Sequence, residues 1–238
     1  LWPDVPIVGW RAALQAIEEV TASVLAGQNE PISFVPSAVA SRRAFEIAAF
    51  TSGMGPMLGY WQEKGNVKMV PELADRMKRH LEHGRRRATR LEGELFRVLE
   101  LMHDAGVSVT VVKGMHTAWA FFPDPGTRPL ADIDVIVAPE DMEVASKALA
   151  GANYDLVPET VTRRPLKSDW IPPGAPRSLS SIELTHVDNP YTIDVHGSIG
   201  RNFLGVRIAD LGPIESGELG PWKKQATGQV MSQPLLVA

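Results

Sequence analysis

The sequence predicts an α+β protein, helical in its first part and β-rich in its second. Three observations carry this. Apolar residues at helical spacing dominate as far as His103, the period shortens from Val107 onward, and the short β-branched runs that follow are separated by turns rich in Pro, Gly, Asp and Asn. The chain therefore divides into a helical N-terminal region, 1–105, ending in a long helix, a small α/β region, 106–210, and a C-terminal segment, 211–238.

Trp10 to Leu25 sets Trp10, Leu14, Ile17, Thr21 and Val24 three or four residues apart, which is one face of an amphipathic helix. The stretch Gly27-Gln28-Asn29-Glu30-Pro31 breaks it. Ser37 suits the N-cap of a second helix that reaches Phe50 and closes at Ser52-Gly53, and a short third piece covers Pro56 to Lys64. The longest helix runs from Pro71 to His103. Along it Leu73, Met77, Leu81, Ala88, Leu91, Leu95, Val98, Leu99 and Met102 form one stripe, and Gly84 falls on that stripe, which predicts a kink. Gly106 suits a left-handed C-cap.

Beyond it, Val107 to Val112 reads as a strand, Met115 to Phe122 as two helical turns and Pro123-Asp124-Pro125-Gly126 as a turn. Asp132 to Val137 is a strand, Pro139-Glu140-Asp141 opens a helix to Leu149, and Tyr154 to Val157 is a further strand. Residues 158–180, rich in Pro, Ser and Arg, read as a long loop. Ile182 to Val187 and Tyr191 to His196 read as a hairpin about Asp188-Asn189-Pro190. Leu211 to Lys224 receives no assignment.

The totals narrow the function. A hydrophobic share of 44% and a charged share of 22% are ordinary for a globular protein, and a formal net charge of -4 argues against coating nucleic acid or an anionic membrane by bulk charge. The chain has no cysteine, which excludes disulfides, thiolate metal sites and a cysteine nucleophile and leads us to expect a cytoplasmic protein. No apolar run approaches the roughly 20 residues of a membrane span. The start on Leu1 and the apolar Pro234-to-Ala238 end lead us to expect a piece of a longer chain, with the last segment opening a further region.

The chemistry centres on Arg128-Pro129-Leu130-Ala131-Asp132-Ile133-Asp134-Val135-Ile136-Val137. Asp132 and Asp134 are two apart in an apolar run, and in a strand residues i and i+2 share a face. Two like charges held together in a buried setting resist ionisation, and a divalent cation such as Mg²⁺, which takes carboxylate oxygens, removes that cost. In Thr192-Ile193-Asp194-Val195-His196, Asp194 and His196 share a face by the same rule. A strand carrying Asp194 beside the first one completes three carboxylates, a set suited to holding two metal ions that activate an attacking oxygen and steady departing pyrophosphate.

Read in order, Lys113-Gly114, Phe122-Pro123-Asp124, Arg128-Pro129, Asp132-Ile133-Asp134 and Asp194-Val195-His196 resemble the uncharacterised bacterial nucleotidyltransferase family of the polymerase-beta-type superfamily, over roughly residues 107–200. The resemblance implies a polymerase-beta-like domain, with a small mixed β-sheet flanked by helices, preceded by a helical domain. It implies that Asp132 and Asp134 ligate the metals, that Asp194 is the third acidic residue, and that Gly114 lies in the loop against the nucleotide phosphates. Superfamily members usually carry Gly-Ser there. Met115 stands at the serine's position, so the phosphate contact passes to backbone N–H groups at the helix start or to Lys113. Lys113 suits a triphosphate as a point charge, Arg128 suits a bidentate phosphate clamp, and His196 either orients a carboxylate or contacts substrate.

The function expected is Mg²⁺-dependent transfer of a nucleoside monophosphate from a nucleoside triphosphate, ATP first among them, to an unidentified acceptor hydroxyl, with Mn²⁺ able to replace Mg²⁺. Two rivals stand beside it. One is an inactive nucleotide-binding or regulatory module. The other is an RNA-modifying enzyme using the basic residues Lys78, Arg79, Arg85, Arg86, Arg87 and Arg90 of the long helix, although a solvated face balanced by Glu72, Asp75, Glu82, Glu92 and Glu94 explains those charges more simply.

Overall fold

The structure, a computed structural model, describes residues 5–27, 30–34, 39–158, 166–182, 185–197, 200–203, 206–210, 219–221 and 229–231. Its chain divides into two units, one of Leu1–Ala88, Phe122–Pro129 and Thr185–Val187, the other of Thr89–Phe121, Leu130–Leu184 and Asp188–Ala238.

In the first unit, α1 (Ile7–Leu25), α2 (Val39–Thr51), α3 (Gly55–Glu63) and the first part of α4 (Pro71–Asp104) build the core. Ala13, Ile17 and Val20 of α1 join Phe45, Ala48 and Ala49 of α2, Leu58 and Trp61 of α3, and Leu73 and Met77 of α4 in one buried cluster. The expected N-cap Ser37 lies outside the described residues. Two short strands, β1 (Ile32–Phe34) and β2 (Val67–Met69), pair in parallel and had no counterpart in the sequence reading.

Gly84 owes its place on the α4 stripe to a close approach, since α4 is one continuous helix of 34 residues. A Cβ at Gly84 would meet the Gly126 carbonyl oxygen at 2.1 Å, so the Pro125–Thr127 turn sits directly on the helix backbone. Beside it Arg85 donates through Nε to Asp124 at 2.8 Å and through both terminal nitrogens to Glu63 at 2.8 and 2.9 Å. Arg87 is fully buried and donates to the His186 carbonyl at 3.2 Å, and the His83 and His186 rings meet edge to face. Two members of the basic stripe are thus engaged inside the unit.

In the second unit α4 ends where the sequence predicts. Gly106 has φ 75°, and the bonds Gly106 N–H to His103 O and Val107 N–H to Met102 O form a Schellman cap. After it come β3 (Thr110–Val111), α5 (Lys113–Phe121), β4 (Ile133–Ile136), α6 (Met142–Gly151), β5 (Asp155–Leu156), β6 (Lys167–Ile171), β7 (Ile193–His196), β8 (Gly200–Phe203), β9 (Val206–Asp210), β10 (Leu219–Pro221) and β11 (Gln229–Met231). Seven of these form a mixed sheet in the order β10-β11-β3-β4-β7-β6-β5, and β8 and β9 form a two-stranded sheet of their own among the described residues. Val111, Ile133, Val135, Ile193 and Val195 of the sheet, and Leu91, Leu95, Val98 and Met102 of α4, are all buried. Within this unit Glu94, also buried, accepts a hydrogen bond from the Tyr154 hydroxyl at 2.5 Å.

Two expectations are corrected here. The stretch read as a loop over 158–180 contains β6, whose Ser168 and Trp170 are buried and whose alternate residues are half-buried, a two-residue period within only five residues. The hairpin partner predicted at 182–187 is absent among the described residues there, and β6 instead is the antiparallel neighbour of β7. β7 is paired with β4 on one side and β6 on the other, which leaves it no edge for the predicted partner. The buried Asn189 side chain accepts from the Ser180 and Ser181 N–H groups at 2.8 and 2.9 Å and donates to the Ser181 carbonyl at 2.8 Å, satisfying backbone groups that lie outside any ladder. Residues 183–184 and most of the segment from 211 onward lie outside the described residues. Among the described residues, no helix is long and apolar enough to cross a membrane.

Candidate active site

Strands β4 and β7 run parallel side by side, with Ile133 opposite Ile193, Asp134 opposite Asp194 and Ile136 opposite His196. Isoleucine and valine on the alternate positions are buried, which fixes the register: a slip of one strand by one residue would turn its carboxylate into the apolar layer. Asp134 and Asp194 are therefore forced together, at 3% and 7% exposure.

Asp134 receives two donors on one oxygen. His196 Nε2 lies 3.0 Å from Oδ1, and the Lys113 ammonium donates to the same atom. Burial pushes the Asp134 carboxyl up, but the hydrogen bonds and charges of His196 and Lys113 outweigh it, so it titrates below the ordinary carboxylate range. Asp194 accepts from Lys167 Nζ at 2.6 Å and from Thr192 Oγ1 at 2.8 Å. Ligand atoms of Asp134, Asp194 and His196 all lie within 4.8 Å of one another.

Asp132 stands one residue before β4, outside the strand that the sequence predicted it to open. It is not in the close trio. Burial pushes its carboxyl up, and the nearby charges of Asp134 and Asp194 push it further, against Lys113 and Lys167. Two carboxylates two residues apart are thereby shifted in opposite directions.

Lys113 begins α5 with φ 48°, a left-handed conformation that costs a non-glycine residue about 1 kcal/mol and is found where the surrounding structure has a use for it. A left-handed residue followed by a helical turn converges successive N–H groups, a geometry that binds anions. Gly114 follows on α5, and Met115 is fully buried, so its side chain offers nothing to a phosphate. Arg128 belongs to the first unit, where its guanidinium donates to the Pro129 carbonyl at 3.0 Å.

A family model described as "Uncharacterised nucleotidyltransferase" matches residues 43–211. The chain belongs to that family. This nucleotidyltransferase accordingly has enzyme chemistry to perform, and the match spans β3, α5, β4, β6 and β7, the elements that carry the trio and its cations. Neither the search of curated proteins nor that of solved structures found a match.

Nucleotidyltransferases generally use divalent metals, and the donor set here suits one. Two buried carboxylates and an imidazole nitrogen converge within bonding reach of a single ion, hard oxygen donors with one nitrogen, which Mg²⁺ or Mn²⁺ accepts. Sequence reasoning missed two neighbours of this trio, Lys167 and Asp169 on β6. The alternation Lys167-Ser168-Asp169-Trp170-Ile171 was the available signal, hidden by the Pro, Ser and Arg content around it.

Proposed function

We propose that this nucleotidyltransferase moves a nucleoside monophosphate from a nucleoside triphosphate, ATP first among the candidates, onto an acceptor hydroxyl with release of pyrophosphate, and that Mg²⁺ serves it. The single observation that carries the reading is the convergence of Asp134, Asp194 and His196 on neighbouring strands, with Lys113 bonded to the same cluster. The parallel pairing of β4 and β7, next to β3 and α5, is compatible with a polymerase-beta-like domain.

Asp134 and Asp194 hold the metal, with Asp132 as a third carboxylate whose raised proton affinity falls when a cation arrives. When bound, the metal supplies Lewis-acid stabilisation of the charge that develops on the phosphoryl and acceptor oxygens. The residues of the chain do the remainder. Lys113 and the N–H groups of Gly114 and its successors at the start of α5 bind the triphosphate. His196 orients Asp134 through its 3.0 Å contact, the first of the two roles expected for it. Asp194 is our candidate to help deprotonate the acceptor hydroxyl.

The test is incubation with each of the four labelled triphosphates, Mg²⁺ or Mn²⁺, and a cell extract. Label transferred to an acceptor by the wild-type chain and lost in Asp134→Asn is the expected outcome. Triphosphate binding without transfer under all conditions supports the regulatory-module reading instead, for which the buried Met115 in place of a serine is the favouring observation.

A further inference from the structure

Strand β6 adds charge to the cluster in a regular way. Asp169 faces Asp194 across the β6–β7 ladder, as Asp194 faces Asp134 across β7–β4, so three carboxylates occupy one row across three strands. Two residues along β7 the next row sets His196 opposite Lys167. The Lys167 side chain, only 12% exposed, lies between the two acids on its side, with Nζ 2.6 Å from Asp194 Oδ2 and 2.7 Å from Asp169 Oδ1. At the other end of the row, Lys113 bonds Asp134.

With Asp132 close enough to feel the charges of Asp134, Asp194, Lys113 and Lys167, four carboxylates gather about two ammonium groups, an excess of acid that a divalent ion offsets. The donor atoms divide in the same way. Asp194 accepts from Lys167 on one oxygen and from Thr192 on the other, while Asp134 accepts from Lys113 and His196 on Oδ1. Strands placed about 5 Å apart bring each charge close enough to its neighbour to govern cation affinity.

We propose that Lys167 is a positioning residue that takes the place of a second protein-bound metal ion. The nucleotide-free protein holds one divalent cation, at Asp134 and Asp194 beside His196, and the Lys167 ammonium supplies positive charge on the Asp169 side, where a second ion would otherwise sit. The second ion expected from the family resemblance then enters only with the triphosphate. This inference rests on the reading of the trio as a metal site.

Titration of the nucleotide-free full chain with Mn²⁺, counting free ion by electron paramagnetic resonance, tests it. One Mn²⁺ per wild-type chain is expected, two in Lys167→Met with line broadening from the paired ions, and one in Lys167→Arg. A lysine that merely clips β6 to β7 leaves the count at one in Lys167→Met and lowers only the melting temperature, and that result overturns the proposal. Two ions in the wild type also overturn it. Should Lys167→Met fail to fold, Asp169→Asn, which removes one negative charge while leaving the trio and the lysine, is expected to weaken Mn²⁺ binding about tenfold at low salt; unchanged affinity refutes the charge balance. No Mn²⁺ bound to the wild type at all overturns the metal reading itself rather than the role of Lys167.

Discussion

Asp134 and Asp194 stand directly opposite one another on parallel strands, both buried, and their carboxylates accept from the polar and cationic side chains of Lys113, His196, Lys167 and Thr192. Such a pair is costly in an apolar sheet and is stabilised by cations. Replacement of either by Asn is therefore expected to abolish nucleotide transfer. A metal contributes several kcal/mol of transition-state stabilisation, and losing it corresponds to about a thousandfold or more in rate. Steady-state assay with the labelled triphosphate identified for the wild type checks this, and activity within tenfold of wild type in both variants contradicts it.

The opposite shifts of Asp132 and Asp134 predict opposite effects on metal-free stability. Asp132 titrates above its ordinary range, so its charged form opposes folding at neutral pH, and Asp132→Asn should raise the melting temperature by about 2–4 °C. That gain disappears as pH falls below the ordinary carboxylate range, where the aspartate is protonated in both states. Asp134 titrates below its range, so its charged form favours folding, and Asp134→Asn should lower the melting temperature at neutral pH. The stabilisation is complete above the unfolded value and is lost as pH falls through the lowered folded one. Thermal melts of both variants in chelator between pH 3 and pH 7, on the order of the carboxylate range, read the two signs.

Lys113 combines an ammonium bonded to Asp134 with a left-handed backbone. Lys113→Gly and Lys113→Ala both remove the ammonium, but glycine adopts φ 48° freely and alanine does not. The glycine variant is expected to be more stable by about 1 kcal/mol in urea unfolding, with both variants weakened in triphosphate binding. Alanine equal to or above glycine in stability argues against the left-handed conformation.

Two glycines of α4 provide a matched comparison. A Cβ at Gly84 collides with the Gly126 carbonyl, whereas one at Gly93 meets nothing within 4 Å. Gly84→Ala should cost about 3 kcal/mol through forced separation of helix and turn, and Gly93→Ala should gain about 0.5–1 kcal/mol from helix propensity. Chemical denaturation of the two variants measures both.

Much of the helical half was legible because long periodic stripes are strong signals: α1, α3, α4 and its Gly106 cap fall close to their predicted positions. The strands were harder. β1, β2, β10 and β11 are three residues each, too short for any period to register, and β6 was masked by its loop-like surroundings. The hairpin expected about Asp188-Asn189-Pro190 shows a further limit, since β4 and β6 take both edges of β7 and no local pattern announces that.

The sequence by itself determined the helices, the acidic motifs and their family, because periodicity, capping residues and ordered motifs are local and survive in one dimension. It also determined that Asp194 and His196 share a face, since a strand has a two-residue period. Only the tertiary structure decided which strand lies beside which, and hence that Asp134 meets Asp194 and His196 while Asp132 stands just outside the trio. It alone brought Lys167 and Asp169 to the cluster, because register across a sheet is set by burial of the intervening apolar residues, a condition that belongs to the assembled sheet and to no single segment.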